Sequence, residues 1–124
     1  MTPRLLMTLS SALLGAAGFA LLFAPAELQR PLFGGGSIPP LMVQLWSAAL
    51  LGLAALNWIG RGMTLGGVYG RALVIGNVAH WTVGALSIFR AALDHPSSAG
   101  LWTAAAVYGA FTLAFAWLLR RDPT

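Results

Sequence analysis

The sequence predicts an all-α protein, a bundle of four transmembrane helices with both termini on the cytoplasmic side. Three observations carry this: an apolar composition, four separate apolar runs of helical length, and an uneven split of arginines between the ends of those runs. Of the 124 residues 58% are hydrophobic and only 8% charged, against roughly 25% charged in a soluble domain. A soluble fold of this size has too little interior to hide so much apolar surface, so lipid is the expected solvent. That excludes a soluble enzyme, and the length allows one domain.

The apolar runs are residues 5–24, 41–59, 72–89 and 101–119. Each approaches the ~20 residues a helix needs to cross ~30 Å of hydrocarbon. Membrane strands need about 10 residues and alternate apolar with polar positions, which these runs do not. Ala24-Pro25-Ala26-Glu27 closes the first run, because proline cannot continue a helix. Phe33-Gly34-Gly35-Gly36-Ser37 is a linker, and Pro39-Pro40 suits the first turn of the second helix. Gly60-Arg61-Gly62 ends that helix, and Gly66-Gly67 loosens the next connection. The third runs into Asp94-His95-Pro96, after which Ser97 or Ser98 caps the fourth.

All seven basic residues are arginine, set against Glu27, Asp94 and Asp122 for a net charge of +4. If all four runs span, Arg4, Arg61, Arg71, Arg120 and Arg121 share one side, and Arg30 and Arg90 the other. The arginine-rich side is expected to be cytoplasmic. Trp58, Tyr69 and Trp117 fall near that boundary, and Phe33, Phe89 and Trp102 near the opposite one, where aromatic rings favour the headgroup layer. The arginines lie between apolar runs rather than on one face, so nucleic acid is not an expected partner. Bias towards Ala, Leu, Gly and Arg without Lys suggests a GC-rich bacterium, hence its plasma (inner) membrane. Met1–Arg4, the first apolar run and Ala24-Pro25-Ala26 also resemble a cleavable signal peptide. That run exceeds the usual 7–15 residues, and proline fits the cleavage motif poorly, so a retained first helix is the reading adopted.

The chain has no cysteine, which excludes disulfides, thiolate catalysis, iron–sulfur clusters and Cys-based zinc sites. Polar side chains inside a membrane are costly and therefore informative. Asn77, His80, Gly84 and Ser87 are spaced i, i+3, i+7, i+10 on one helix face, expected to point into the bundle. Gly76, His80 and Gly84 form an overlapping row whose small residues let a neighbour approach. By depth, His80 matches Tyr108 and Asn57 matches Asn77, so two interhelical hydrogen bonds are geometrically feasible. The bland reading makes them packing glue worth about 0.6–2 kcal/mol each. The sharper reading makes His80, with Asn57, Arg71, Asn77 and Tyr108, the lining of a ligand site.

A lone histidine cannot supply both axial ligands of a bis-histidine haem, although a symmetric dimer could. The first helix holds no membrane-embedded Glu, which argues against a proton-coupled exporter. Ala12, Ala16 and Ala20, and Ala48 with Gly52, form small-residue rows that mark close packing within or between chains. The loop from Gly60 to Gly67 matches neither phosphate-loop pattern and follows no strand. With Arg61 and Arg71 at its ends it suits a turn at the headgroup layer. Arg71 is also placed to snorkel inward towards Asn57. Asp94-His95 offers too few ligands for a metal.

The stretch from Gln44 to Leu86 carries Ala54-Ala55-Leu56-Asn57-Trp58, Gly67-Val68-Tyr69-Gly70-Arg71 and Gly76-Asn77-Val78-Ala79-His80. It resembles a loose class of small four-helix bacterial membrane proteins without assigned activity. The resemblance implies the fold and brings no catalytic residues. The expected function is a non-enzymatic accessory or interaction protein needing no cofactor, with lipid, a second copy or another membrane protein as partner. The alternative is a binder or carrier of a small hydrophobic ligand (lipid or quinone), and a third reading is a dimeric haem-binding redox component.

Overall fold

The computed structural model describes residues 2–25, 27, 38–63 and 67–121. Among the described residues are four long helices, α1 (Pro3–Phe23), α2 (Pro40–Gly60), α3 (Val68–Asp94) and α4 (Ala99–Arg121), each long and apolar enough to cross a membrane. Expectations placed on Ala26, Arg30, Phe33 to Ser37, Gly66 and Asp122 lie outside the described residues.

Local chemistry accounts for the helix ends. Thr2 caps α1 by accepting from the Leu5 amide at 3.1 Å. The helix stops at Phe23, two residues before Pro25. Pro40 opens α2 at a position whose missing N–H would have had no partner. Ser98, rather than Ser97, accepts from the Leu101 amide at 3.2 Å to begin α4. The third helix is longer than its apolar run at both ends, 68–94 against 72–89. Hydropathy breaks at Arg71 and Arg90, but neither residue stops a helix. The stops are Gly67, extended at the N-cap, and His95 before Pro96.

Packing resolves the four helices into two hairpins, α1 on α2 and α3 on α4, which meet more sparingly. Ser11 opposite Ala54 and Ser47 opposite Gly18 make the first hairpin antiparallel. Trp81 against Phe111 and Phe89 against Trp102 do the same for the second. Asn57 opposite Asn77 and Gly60 opposite Leu73 set α2 antiparallel to α3. Alternation gathers Arg4, Arg61, Arg71, Arg120 and Arg121 at one end of the bundle, here termed the termini end. Arg90 and Asp94 lie at the other.

Leu6, Met7, Leu14 and Leu21 of α1 meet Val43, Leu50 and Ala54 of α2, Val74 and Trp81 of α3, and Phe115 and Leu118 of α4 in one buried cluster. The small-residue rows do not pack within the chain, which leaves packing between chains, and the expectation that the Ser87 face of α3 points into the bundle is corrected. On α1 the buried stripe is Ser11, Leu14 and Gly18, whereas Ala12 and Ala16 are exposed. Ala48 and Gly52 of α2 are also exposed, and a Cβ at Gly52 would meet nothing. Close approach happens at Gly18, where a Cβ would lie 2.8 Å from Leu51 Cγ. On α3, Ser87 points outward and the buried line runs through Gly70, Val74, Asn77 and Trp81. Only 17% of the apolar window of α3 and 22% of that of α4 is buried by the rest of the chain. Most of the second hairpin therefore presents apolar side chains outward.

Candidate functional site

The polar residues that the apolar runs carry sort into two groups. The first is a seam between α1 and α2. Ser11 Oγ donates to the Ala54 carbonyl at 2.8 Å, and Ser47 Oγ donates across in the other direction to the Gly18 carbonyl at 2.6 Å. Both serines are buried, and Gly18 and Ala54 are small enough for hydroxyl to reach backbone across the interface.

The second group is a cluster in which α1, α2 and α3 converge. Asn57 and Asn77 are both 0% exposed and face each other as a reciprocal amide pair. Asn57 Nδ2 donates to Asn77 Oδ1 at 2.8 Å, and Asn77 Nδ2 donates to Asn57 Oδ1 at 2.7 Å. Asn57 spends its second amide hydrogen on Ser10 Oγ at 2.9 Å, while Ser10 donates to the Met7 carbonyl. Asn77 gives its second hydrogen to the Leu73 carbonyl at 3.0 Å, and its Oδ1 also accepts from Trp81 Nε1 at 3.2 Å. All four amide hydrogens are used. Among the described residues no buried side-chain polar atom lacks a partner.

Trp81 joins this cluster to α4. Its ring is fully buried, stacks on Phe111 at 4.5 Å, and meets Tyr108 edge-on at 4.6 Å. His80 lies edge-on to Trp81 at 5.1 Å, and its Nε2 is 3.2 Å from the Tyr108 hydroxyl, a shared hydrogen bond. The Tyr108 ring lies in the notch left by Gly84, where any Cβ would overlap it. His80 and Tyr108 are half-buried at the middle of their helices, at the surface of the second hairpin.

Four of the five residues singled out in the sequence thus meet in one continuous arrangement, Asn57–Asn77–Trp81–His80–Tyr108. Arg71 lies six residues before Asn77 on α3, roughly 9 Å along the helix axis, at the termini end. Trp81 and the serines were not among the singled-out residues. Trp81 sits one residue beyond the chosen face, and its size drew it to the core. Ser10 had a signal, since it matches Asn57 in depth just as Asn77 does.

Chemically the arrangement is rich in hydrogen bonds and poor in charge. No three His, Asp or Glu side chains come together among the described residues. Trp81, Asn57 and Asn77 fill the space between the helices themselves. An open stripe lies elsewhere, on the outer face of α4, formed by Leu113, Ala116, Trp117, Arg120 and Arg121. The fold and cluster define a class, that of all-helical chains with four candidate transmembrane helices and a hydrogen-bonded polar centre. Compared with protein-family models, curated proteins and solved structures, this chain matches none.

Proposed function

We propose that this chain is a small multi-pass protein of a bacterial plasma membrane, with both termini cytoplasmic, that works by association rather than by chemistry. The carrying observation is the distribution of polar groups and open faces. Asn57, Asn77, Ser10 and Trp81 consume one another's hydrogen-bonding capacity, which suits packing glue better than a substrate site. The helices, by contrast, keep broad outward faces with small residues at their surface. A Cβ at Gly52, Gly76 or Gly109 would meet nothing within the chain. Such openings admit close approach by a helix of another membrane protein or a second copy. Five arginines at the termini end support the cytoplasmic assignment of that end.

One observation favours the alternative, a binder of a lipid or quinone. His80 is half-buried at mid-helix, and only Nε2 is engaged by Tyr108, which leaves an imidazole edge available to a polar ligand head. Haem ligation would need His80 from two copies. Native mass spectrometry with an absorption spectrum, on protein in mild detergent, separates these readings when wild type and His80→Ala are compared. Association predicts a second chain in the wild-type spectrum and in that of His80→Ala, lost in Gly52→Leu or Gly76→Leu. A bound small mass or Soret band that disappears in His80→Ala would overturn it in favour of a ligand site.

A further inference from the structure

We propose that the termini end of α4 is a binding site for an anionic phospholipid, its phosphate between Arg120 and Arg121 and an acyl chain along Leu113 and Ala116. The open surface there is formed by residues at positions 113, 116, 117, 120 and 121, the i, i+3, i+4, i+7, i+8 series of one helical stripe. Along that stripe the chemistry changes in one direction. Leu113, 73% exposed, and Ala116 come first, then the Trp117 ring, 46% exposed, and finally two guanidinium groups. Leu113 and Arg120 are seven residues apart, roughly 10 Å along the axis, the order and scale of acyl chain, glycerol and phosphate. Tryptophan belongs at the middle level, where an amphipathic ring meets the headgroup layer.

Charge identifies the occupant. No acidic side chain among the described residues pairs with Arg120 or Arg121, and Arg121 Cζ lies 5.1 Å from the Trp117 ring centroid. Arg61, at the same end of the bundle, differs. Its guanidinium sits 3.7 Å over the Trp58 ring and donates to the Trp58 carbonyl. Paired planar guanidinium groups suit the two-oxygen recognition of a phosphate. The net negative charge of phosphatidylglycerol then separates it from zwitterionic lipid. The inference requires a bilayer around the chain and is independent of the association reading.

The test is native mass spectrometry of the full chain in mild detergent, titrated in parallel with phosphatidylglycerol and phosphatidylcholine. Phosphatidylglycerol is expected to be retained over phosphatidylcholine. Arg120→Gln and Arg121→Gln should each lower its retention about five-fold, the factor for ~1 kcal/mol per arginine, with Arg61→Gln unchanged. Equal retention of the two lipids, unaltered retention in the double Arg120→Gln/Arg121→Gln variant, or an equal loss in Arg61→Gln would overturn the site. A second measurement uses phosphatidylglycerol carrying a photoreactive acyl chain. Adducts within Leu113–Trp117 are expected, and adducts confined to other helices would overturn the proposed pose.

Discussion

Replacing Asn77 by leucine, which keeps the branching of the side chain but carries no polar atom, removes the pair through which α2 and α3 exchange hydrogen bonds. Two interhelical bonds are lost, at 2.8 and 2.7 Å. At the average measured in membrane bundles, and up to its upper end, they are worth about 1–3 kcal/mol together. The substitution also strips Trp81 Nε1 of its acceptor and leaves the Oδ1 and one amide hydrogen of Asn57 without their Asn77 partner. These buried groups add roughly 1–3 kcal/mol, so Asn77→Leu is expected to cost about 2–6 kcal/mol. The double variant Asn57→Leu/Asn77→Leu removes both amides, leaves no orphaned Asn57, and should cost less than the sum of the single variants by about 1–3 kcal/mol. The assay is reversible unfolding in dodecyl maltoside with increasing SDS, followed by circular dichroism, for the four members of the cycle. Single costs that simply add, within ~0.5 kcal/mol, would refute the reasoning. They would mean that the two amides do not act as a pair.

Three further outcomes follow from the same geometry. Gly18→Val pushes a branched side chain against Leu51 and should destabilise the α1–α2 hairpin by about 1–3 kcal/mol, whereas Gly52→Ala, in open space, should change monomer stability by no more than ~0.5 kcal/mol; the same unfolding assay checks both. Gly84→Ala forces the Tyr108 ring out of its notch and breaks its contact with His80, so adding His80→Ala in that background should cost under ~0.5 kcal/mol more, read as the difference between single and double variants. Because the chain has no cysteine, Thr2→Cys and Ser97→Cys each give one unique thiol. In intact cells an impermeant maleimide should label Ser97→Cys and spare Thr2→Cys, and the reverse pattern would refute the cytoplasmic placement of the termini.

Much of the fold was legible because hydropathy and helix stops are local. Pro25, Pro39-Pro40, Gly60 and Pro96 mark the breaks between helices through backbone chemistry that needs no tertiary information. The apolar run 72–89 marks the part of α3 suited to hydrocarbon rather than its ends, because an arginine leaves a helix intact while leaving the hydrocarbon; the stop at Asp94-His95-Pro96 was legible. The candidate cluster was partly legible through depth. Residues at matching height on antiparallel neighbours can meet, and Asn57 with Asn77, and His80 with Tyr108, do so. Depth says nothing about rotation, however. Ser87 shares a helical face with Asn77 by spacing, yet it is exposed, while the buried line of the helix runs through Asn77 and Trp81.

Small residues show the same division. Ala12, Ala16, Ala48 and Gly52 have the spacing of a packing row, but the packing falls on Ser11, Gly18, Ser47 and Ala54. Spacing is common to every face of an alanine-rich helix, so it cannot choose among them. The choice was made by hydrogen bonds, since serines on adjacent helices each reach a carbonyl across the seam and so fix which faces meet.

By itself, then, the sequence determined an all-helical chain of four membrane-length segments, their approximate ends, and the depth of each polar side chain, because these depend on composition along one axis. The tertiary structure decided the grouping into two hairpins, the outward turn of the small-residue rows, and the insertion of Trp81 between the asparagine pair and the His80–Tyr108 pair. Those outcomes depend on the rotation of each helix about its axis. Rotation is set where several helices must satisfy buried polar groups and exclude voids together, which no single segment encodes.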